Sequence, residues 1–180
     1  MRSKTMKNSL YLMLLCFFFA CQENKARYPL NKSEEVFLNT SASRNKALLA
    51  REESLIRQSA QRDSLLEFQS SEKGFLYAYI KKSKENIPLP KKGTPVRFEY
   101  QIEDLNKSIL YEKSELGTVD YLVDQEDLVP ALREGIRLMR PKEVVVFLFP
   151  SYLCYGYQGD GDKIGVNQPL RFTIERLLIN

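Results

Sequence analysis

VDYLVDQEDLVPALREGIRLMRPKEVVVFLF, residues 119–149, decides the architecture. Its two ends, VDYLV and EVVVFLF, are short runs of β-branched and aromatic residues that read as strands. The polar-and-apolar segment between them, residues 125–139, reads as a helix that opens at Asp127 and breaks near Gly135, with Pro130 tolerated inside its first turn. Three further strand-like stretches flank this unit: FLYAYI after Gly74, VRFEYQI from Val96, and LRFTIERLLI at the end of the chain. In VRFEYQI the alternation puts Val96, Phe98, Tyr100 and Ile102 on one face, which suits a sheet covered on one side. Strands with one helix laid across them predict an α+β domain over residues 73–180, an antiparallel sheet wrapped around a single short helix. The sequence contains no internal repeat and no low-complexity tract.

Upstream, residues 44–72 read as a helical extension. Residues 44–69 lack Gly and Pro, and Leu48, Leu55, Ile56, Ala60, Leu65 and Leu66 recur at spacings that bring them near one helical face. Arg62 and Asp63 interrupt that stripe, which favours one helix, packed on the domain or standing between it and the membrane, over a long coiled coil. Residues 21–43 are polar and irregular, with Pro29 among them, and read as a flexible tether. Residues 1–20 read as an address. A basic start with Arg2, Lys4 and Lys7 leads into the apolar run LYLMLLCFFFA, too short to span a bilayer comfortably and suited to a secretory signal.

The 180 residues carry a formal charge of +4, and without the three basic residues of the signal the chain stands at about +1. That balance argues against a nucleic-acid partner, which needs concentrated, uncompensated Lys and Arg. There is no histidine, so the commonest general base and metal ligand are missing. Three cysteines, Cys16, Cys21 and Cys154, make neither a zinc pattern nor a disulfide framework, and Cys154 reads as a small buried hydrophobe. Asp160 and Asp162 in GDGD lack the loop length and closing Glu of an EF-hand and read as solvated turn acids. No metal or cofactor is expected.

A cysteine directly after Ala20 and the apolar run resembles a bacterial lipoprotein signal, in which Cys21 is acylated and becomes the first residue of the mature chain. Phe18 stands where that pattern prefers Leu and Phe19 where it prefers a small residue, and an ordinary cleaved signal with Cys21 left as a free thiol is the other reading. An acyl anchor implies a protein held at a membrane surface in the cell envelope, facing the periplasm.

Residues 91–179 resemble the FK506-binding (FKBP) family of peptidyl-prolyl cis-trans isomerases through four motifs in order: KKGTPVRFEYQIED, LVPALREGIRLM, PSYLCYGYQG and IGVNQPLRFTIERL. The layout of an exported lipoprotein of this length is similar to the gliding-motility-associated isomerase lipoproteins of bacterial envelopes. The resemblance implies a substrate class, proline-containing polypeptides of the envelope, and no cofactor. It also implies a pocket. Tyr100, Tyr111, Glu112, Val129 and Tyr155 take the positions of the catalytic residues, with Glu112 where the family usually has Asp and the Val129 N–H where a carbonyl of the bound peptide is received. Leu128, Leu132, Ile164 and Phe172 take the positions of the substrate-binding walls and floor.

Several positions depart from the family pattern. Leu132 replaces the Trp that floors many active members, Gly165 and Val166 replace prolines, and the tyrosine loop holds an extra residue at Leu153 or Cys154. These changes imply reduced activity or an altered preference for the residue before proline. Chemically, an enzyme without histidine is reasonable here: rotation about an X-Pro bond is opposed by amide resonance, about 18–20 kcal/mol. A dry pocket that fits the twisted imide better than the planar one lowers that barrier with no proton transfer. Two other readings remain open: a module of this fold that binds a proline-containing partner without catalysis, and an envelope lipoprotein with no peptide pocket.

Overall fold

The computed structural model describes residues 32–85 and 87–179. The signal, Cys21 and the first part of the tether lie outside the described residues. By its contacts the chain divides into two units, Met1–Thr40 and Ser41–Asn180. Of the first, the described part is the opening of a helix; the second holds everything else.

The second unit is built on one antiparallel sheet: β1 (Gln69–Ser70), β2 (Leu76–Lys81), β3 (Pro95–Glu103), β4 (Ile109–Tyr111), β5 (Val119–Leu122), β6 (Val144–Phe149) and β7 (Leu170–Leu177). The strand order is β1-β2-β6-β7-β3-β4, with β5 also on β3. β3 pairs with β7 from Arg97↔Leu177 to Glu103↔Arg171. Its other edge is shared, β5 taking Pro95–Phe98 and β4 taking Ile102 and Glu103. All five strands read from the sequence are present, and β1 and β4 are additional.

The helix between β5 and β6 is α3, Pro130–Ile136, shorter than the 125–139 expected. Proline sets both the start and the preceding conformation: Pro130 occupies the first turn, and Val129 before it is held extended at φ −50°, ψ 129°. The helix ends at Ile136, beside Gly135, where the sequence predicts a break. A Cβ on Gly135 would come 3.3 Å from Phe147 and 3.4 Å from Ile174, so glycine is also what lets the helix lie close on the sheet. Ala131, Leu132, Gly135 and Ile136 form its buried face. They join Val96, Phe98 and Ile102 of β3, Val145, Phe147 and Phe149 of β6 and Phe172 and Ile174 of β7 in the main core.

The expectation of a sheet covered on one side is corrected on β6, where Val145 through Phe149 are all buried. Val145, Phe147 and Phe149 face α3, while Val146 and Leu148 face a second cluster with Ile56, Ala60, Leu66 and Phe68. The cover on that back face comes from the part of α1, Lys32–Arg62, that lies in the second unit. This helix corrects two expected boundaries. It begins at Lys32, so residues 32–43, read as tether, are helical: Pro29 is the last Pro or Gly before Gly74. It ends at Arg62, and residues 63–72, read as helix, hold a turn and β1. Among the described residues no helix is long and apolar enough to cross a membrane.

The docking face of α1 also differs from the apolar stripe expected. Leu55 is partly exposed, and Leu65, past the helix end, is 92% exposed. The buried positions are Glu52, Ile56, Ser59 and Asp63, one face at helical spacing but mostly polar. Each polar member has a distant partner: Glu52 bonds Ser151, Ser59 donates to the Leu105 carbonyl at 2.8 Å, and Asp63 pairs with Arg171 at 2.9 Å.

Candidate active site

On the front of the sheet, around the start of α3, residues far apart in the chain meet on one cluster. Leu132 (1% exposed), Ile164 and Phe172 are buried members of it; Tyr100, Tyr111, Leu128, Val129 and Tyr155 pack against it half-buried. Eight of the nine positions singled out in the sequence therefore share one apolar neighbourhood. The strands explain the convergence. Tyr100 and Phe172 lie on the paired strands β3 and β7, on the same face, and their rings stack with centroids 6.0 Å apart at 21°. Phe149 closes on Phe172 edge-on at 5.6 Å. Val129 and Leu128 arrive on the extended segment that Pro130 forces before α3, and Leu132 turns inward one turn later.

The polar groups at this cluster divide into engaged and free. The Tyr111 hydroxyl donates to Asp160 Oδ2 at 2.5 Å, and Lys163 Nζ lies 4.4 Å from the Tyr111 ring centre. By contrast, among the described residues the hydroxyls of Tyr100 and Tyr155 and the N–H of Val129 have no hydrogen-bond partner. Burial raises the Tyr100 hydroxyl above the ordinary tyrosine value. Tyr155 is pushed up to about 12, first by burial and then by Tyr100, Cys154, Asp160 and Tyr111 nearby. Both remain neutral donors at physiological pH. Unpaired donors on an apolar surface are what a bound carbonyl would satisfy.

Glu112 is the exception. It is exposed and spends its carboxylate on α2, Lys113–Leu116, where Glu112 and Glu115 each cap the other's backbone in a reciprocal box. Asp160, read from the sequence as a solvated turn acid, is the acid that reaches the cluster. Burial acts to raise its carboxyl, but the Tyr111 hydroxyl and the N–H groups of Asp162 and Ile164 outweigh it, and it stands below the ordinary range. Its bonds to the N–H groups two and four residues on follow from the tight GDGD turn, a pattern that an Asx-turn reading of the sequence could have found. Gly159 enters that turn at φ +67°, and a Cβ there would collide with the Ile164 carbonyl. No group of three or more potential metal ligands occurs among the described residues.

The model of the FKBP-type peptidyl-prolyl cis-trans isomerase family matches residues 88–177, which span β3 to β7 and all eight converging positions. The probable FKBP-type isomerase FkpA of Neisseria meningitidis serogroup B is 26% identical over 129 residues, 71% of this chain and 44% of that protein. The chain thus matches less than half the length of that curated relative. Among solved structures, an isomerase of Pseudomonas syringae pv. tomato superposes with a TM-score of 0.59 at 19% identity, covering 74% of this chain and 93% of that one. The N-terminal domain of FKBP42 from Arabidopsis thaliana gives 0.55 at 16% identity, covering 62% and 90%. FkpA from Escherichia coli gives 0.53 at 18% identity, covering 96% and 81%. At these identities the structures speak for the fold alone, and the fold agrees with the family match: the chain belongs to the FKBP-type peptidyl-prolyl cis-trans isomerase family.

Proposed function

We propose that this chain is a peptidyl-prolyl cis-trans isomerase acting on proline-containing polypeptides of the cell envelope, exported, held at the membrane by an acyl chain on Cys21, and serving gliding motility. The observation that carries the enzymatic part is the apolar cluster of Tyr100, Val129, Leu132, Tyr155 and Phe172 with three hydrogen-bond donors left unpaired on it. A prolyl ring resting on the half-buried Tyr100, Val129 and Tyr155, above the buried Leu132 and Phe172, removes the imide from water. The Val129 N–H and the Tyr155 hydroxyl then receive carbonyls of the peptide and hold it while the C–N bond turns. Loss of amide resonance moves charge off the carbonyl oxygen, so the desolvated twisted state is favoured relative to the planar one. Leu132 makes a softer floor than an indole and supplies no N–H, which supports a modest rate.

The test is a proline-limited refolding reaction, whose slow phase runs over tens of seconds uncatalysed. The full chain is expected to accelerate it. Tyr155→Phe, which loses one hydrogen bond, should lower kcat/KM roughly three- to tenfold, and Leu128→Ala should lower it as well. An uncatalysed rate with a proline peptide still bound would replace the enzyme with a binding module; no binding at all would leave a structural lipoprotein. For the anchor and the motility role, supported by the signal-like start and overall layout, a deletion strain should fail to spread on surfaces. Wild type should restore spreading and Cys21→Ser should not. Normal spreading of the deletion strain overturns the motility role, and restoration by Cys21→Ser overturns the anchor.

A further inference from the structure

Glu52 of α1 lies outside the segment that matches the family, yet it is 2% exposed and its two carboxylate oxygens are both bound to one residue of the tyrosine loop. Oε2 accepts the Ser151 N–H at 2.8 Å and Oε1 accepts the Ser151 hydroxyl at 2.6 Å. No lysine or arginine among the described residues pairs with it. A buried carboxylate without a counter-charge is an expensive choice where a leucine could pack, so its hydrogen bonds must supply something packing cannot. What they supply is orientation. A carboxylate gripping both the N–H and the hydroxyl of one serine fixes that residue's backbone direction, which a single bond would leave free to swing.

Ser151 is the root of the loop that carries Tyr155. It opens the 3-10 turn Ser151–Leu153, and its carbonyl accepts the N–H groups of both Cys154 and Gly156 at 2.9 Å, one on each side of Tyr155. The Gly156 carbonyl in turn accepts the Asn167 N–H at 2.8 Å. On its α1 side this loop borders a groove of about 950 Å³ lined by Glu52, Ile56, Ser151, Tyr155 and Tyr157. The Glu52–Ser151 bonds join loop and helix at the wall of that groove.

We propose that Glu52 is a positioning residue for the isomerase site, holding the loop through Ser151 so that Tyr155 stands at the apolar cluster, and that α1 is thereby a working part of the enzyme. This rests on the proposed isomerase activity for its catalytic consequence but not for its structural one. Cys154, the neighbour of Tyr155, reports on the loop, and Ser151→Ala, which leaves the Glu52 charge in place, separates release of the loop from loss of that charge. Burial first, and the Glu52 carboxylate second, push its thiol far above the ordinary value, so in the held loop it stays protonated and unreactive.

The experiment uses the full chain with Glu52→Gln, Ser151→Ala and, as control, Arg57→Ala, which removes only an exposed pair with Glu53 on the same helix. Glu52→Gln keeps one acceptor but turns an amide N–H toward a donor. Two quantities are read under conditions where circular dichroism shows each variant folded. One is kcat and KM for a proline peptide; the other is the rate of iodoacetamide alkylation of Cys154, followed by mass on the tryptic peptide of residues 143–163. Displacing a site group by about an ångström can lower a rate by up to about a hundredfold. We expect Glu52→Gln to lower kcat about tenfold with KM within twofold and to speed Cys154 alkylation several-fold, Ser151→Ala to do the same to a smaller degree, and Arg57→Ala to change neither.

Unchanged kcat and alkylation in folded Glu52→Gln would overturn the proposal, as would activity lost only in proportion to unfolded protein. Should Glu52→Gln not fold, Ser151→Ala decides on the same criteria. An inactive wild type would sink the proposed isomerase reading alone, and the Cys154 alkylation rate in Ser151→Ala, where the Glu52 charge is kept, would still decide whether the Glu52–Ser151 bonds hold the loop.

Discussion

Tyr111 and Asp160 show how one contact is written into two titrations. Bonding to Asp160, and then burial, push the Tyr111 hydroxyl up to about 12. Its raised value means the folded state favours the neutral phenol, so this stabilisation is complete below the ordinary tyrosine value near 10 and is lost as pH climbs through about 12. Asp160 has the opposite sign: its lowered value makes the stabilisation present above the ordinary carboxyl value and lost as pH falls through the folded one. The bond therefore acts across the whole neutral range and fails at both ends. In Tyr111→Phe the Asp160 carboxyl should move back up, read by carbon NMR of the carboxyl signal, and one late step should vanish from the alkaline tyrosine absorbance titration. An unmoved Asp160 signal would show that the loop N–H groups alone hold it down. Glu112→Ala should leave that signal where it is. Matching positions along the chain pointed to Glu112 because it directly follows Tyr111. The acid that reaches Tyr111 comes instead from 49 residues on, through a turn whose geometry no linear spacing encodes.

The strands were legible because their residue types and their pairing agree: β6 is uniformly apolar and almost wholly buried, and the alternation of β3 survives in the burial of Pro95–Phe98, while Ile102 and Glu103 are both buried. The apolar part of the candidate site was reached through the family resemblance, and Tyr100, Leu132 and Phe172 converge because they lie on regular elements that meet at the core. The docking of α1 was legible in part: Ile56, Ala60 and Leu66 of the expected stripe pack against Val146 and Leu148. Leu55 and Leu65 do not, and the helix is also seated by Glu52, Ser59 and Asp63, whose partners lie 46 to 108 residues away and cannot be seen from the helix itself. Gly135 stands beside the helix end that the sequence predicts, and glycine weakens helices by about 1 kcal/mol relative to Ala, but it also sits against the sheet. Gly135→Ala tests which effect wins. It gains that propensity, but the new methyl meets Phe147, which is hemmed in by Phe149 at 5.3 Å, Phe75 at 6.0 Å and Tyr77 at 6.2 Å and has little room to yield. Overpacking of this kind costs roughly 1–3 kcal/mol, so a net loss of about 1 kcal/mol is expected, measured as a lower urea midpoint. A raised midpoint would mean that the aromatic cluster gives way.

From Ser41 onward the helix and the sheet share their buried charges, and this sets how the unit unfolds. Asp63, just past α1, holds Arg171 of β7 at 2.9 Å and Lys107 at 3.1 Å; Arg171 also approaches Glu103 of β3 at 3.3 Å. Arg171 on the back of β7 adjoins Phe172 on the front, so the clamp that seats the helix and the wall of the proposed pocket are neighbours on one strand. The 44–72 and 73–180 segments, separated in the sequence reading, belong to a single unit. Cutting at Gly74 would strip Val146 and Leu148 of their cover and leave Ser151 and Arg171 without their α1-side partners. Removing one partner of a buried pair costs about 3–5 kcal/mol. Because Glu103 stays beside Arg171, Asp63→Ala should lose somewhat less, roughly 2–3 kcal/mol on that scale of penalty. With no tryptophan in the chain, helix and core are followed by far-ultraviolet circular dichroism and tyrosine fluorescence. If α1 is integral, both signals shift together in Asp63→Ala and keep one common urea midpoint. A helix signal that melts first while tyrosine fluorescence stays at its wild-type midpoint would show instead that α1 is an appendage, and the buried carboxylates along it would then need another explanation.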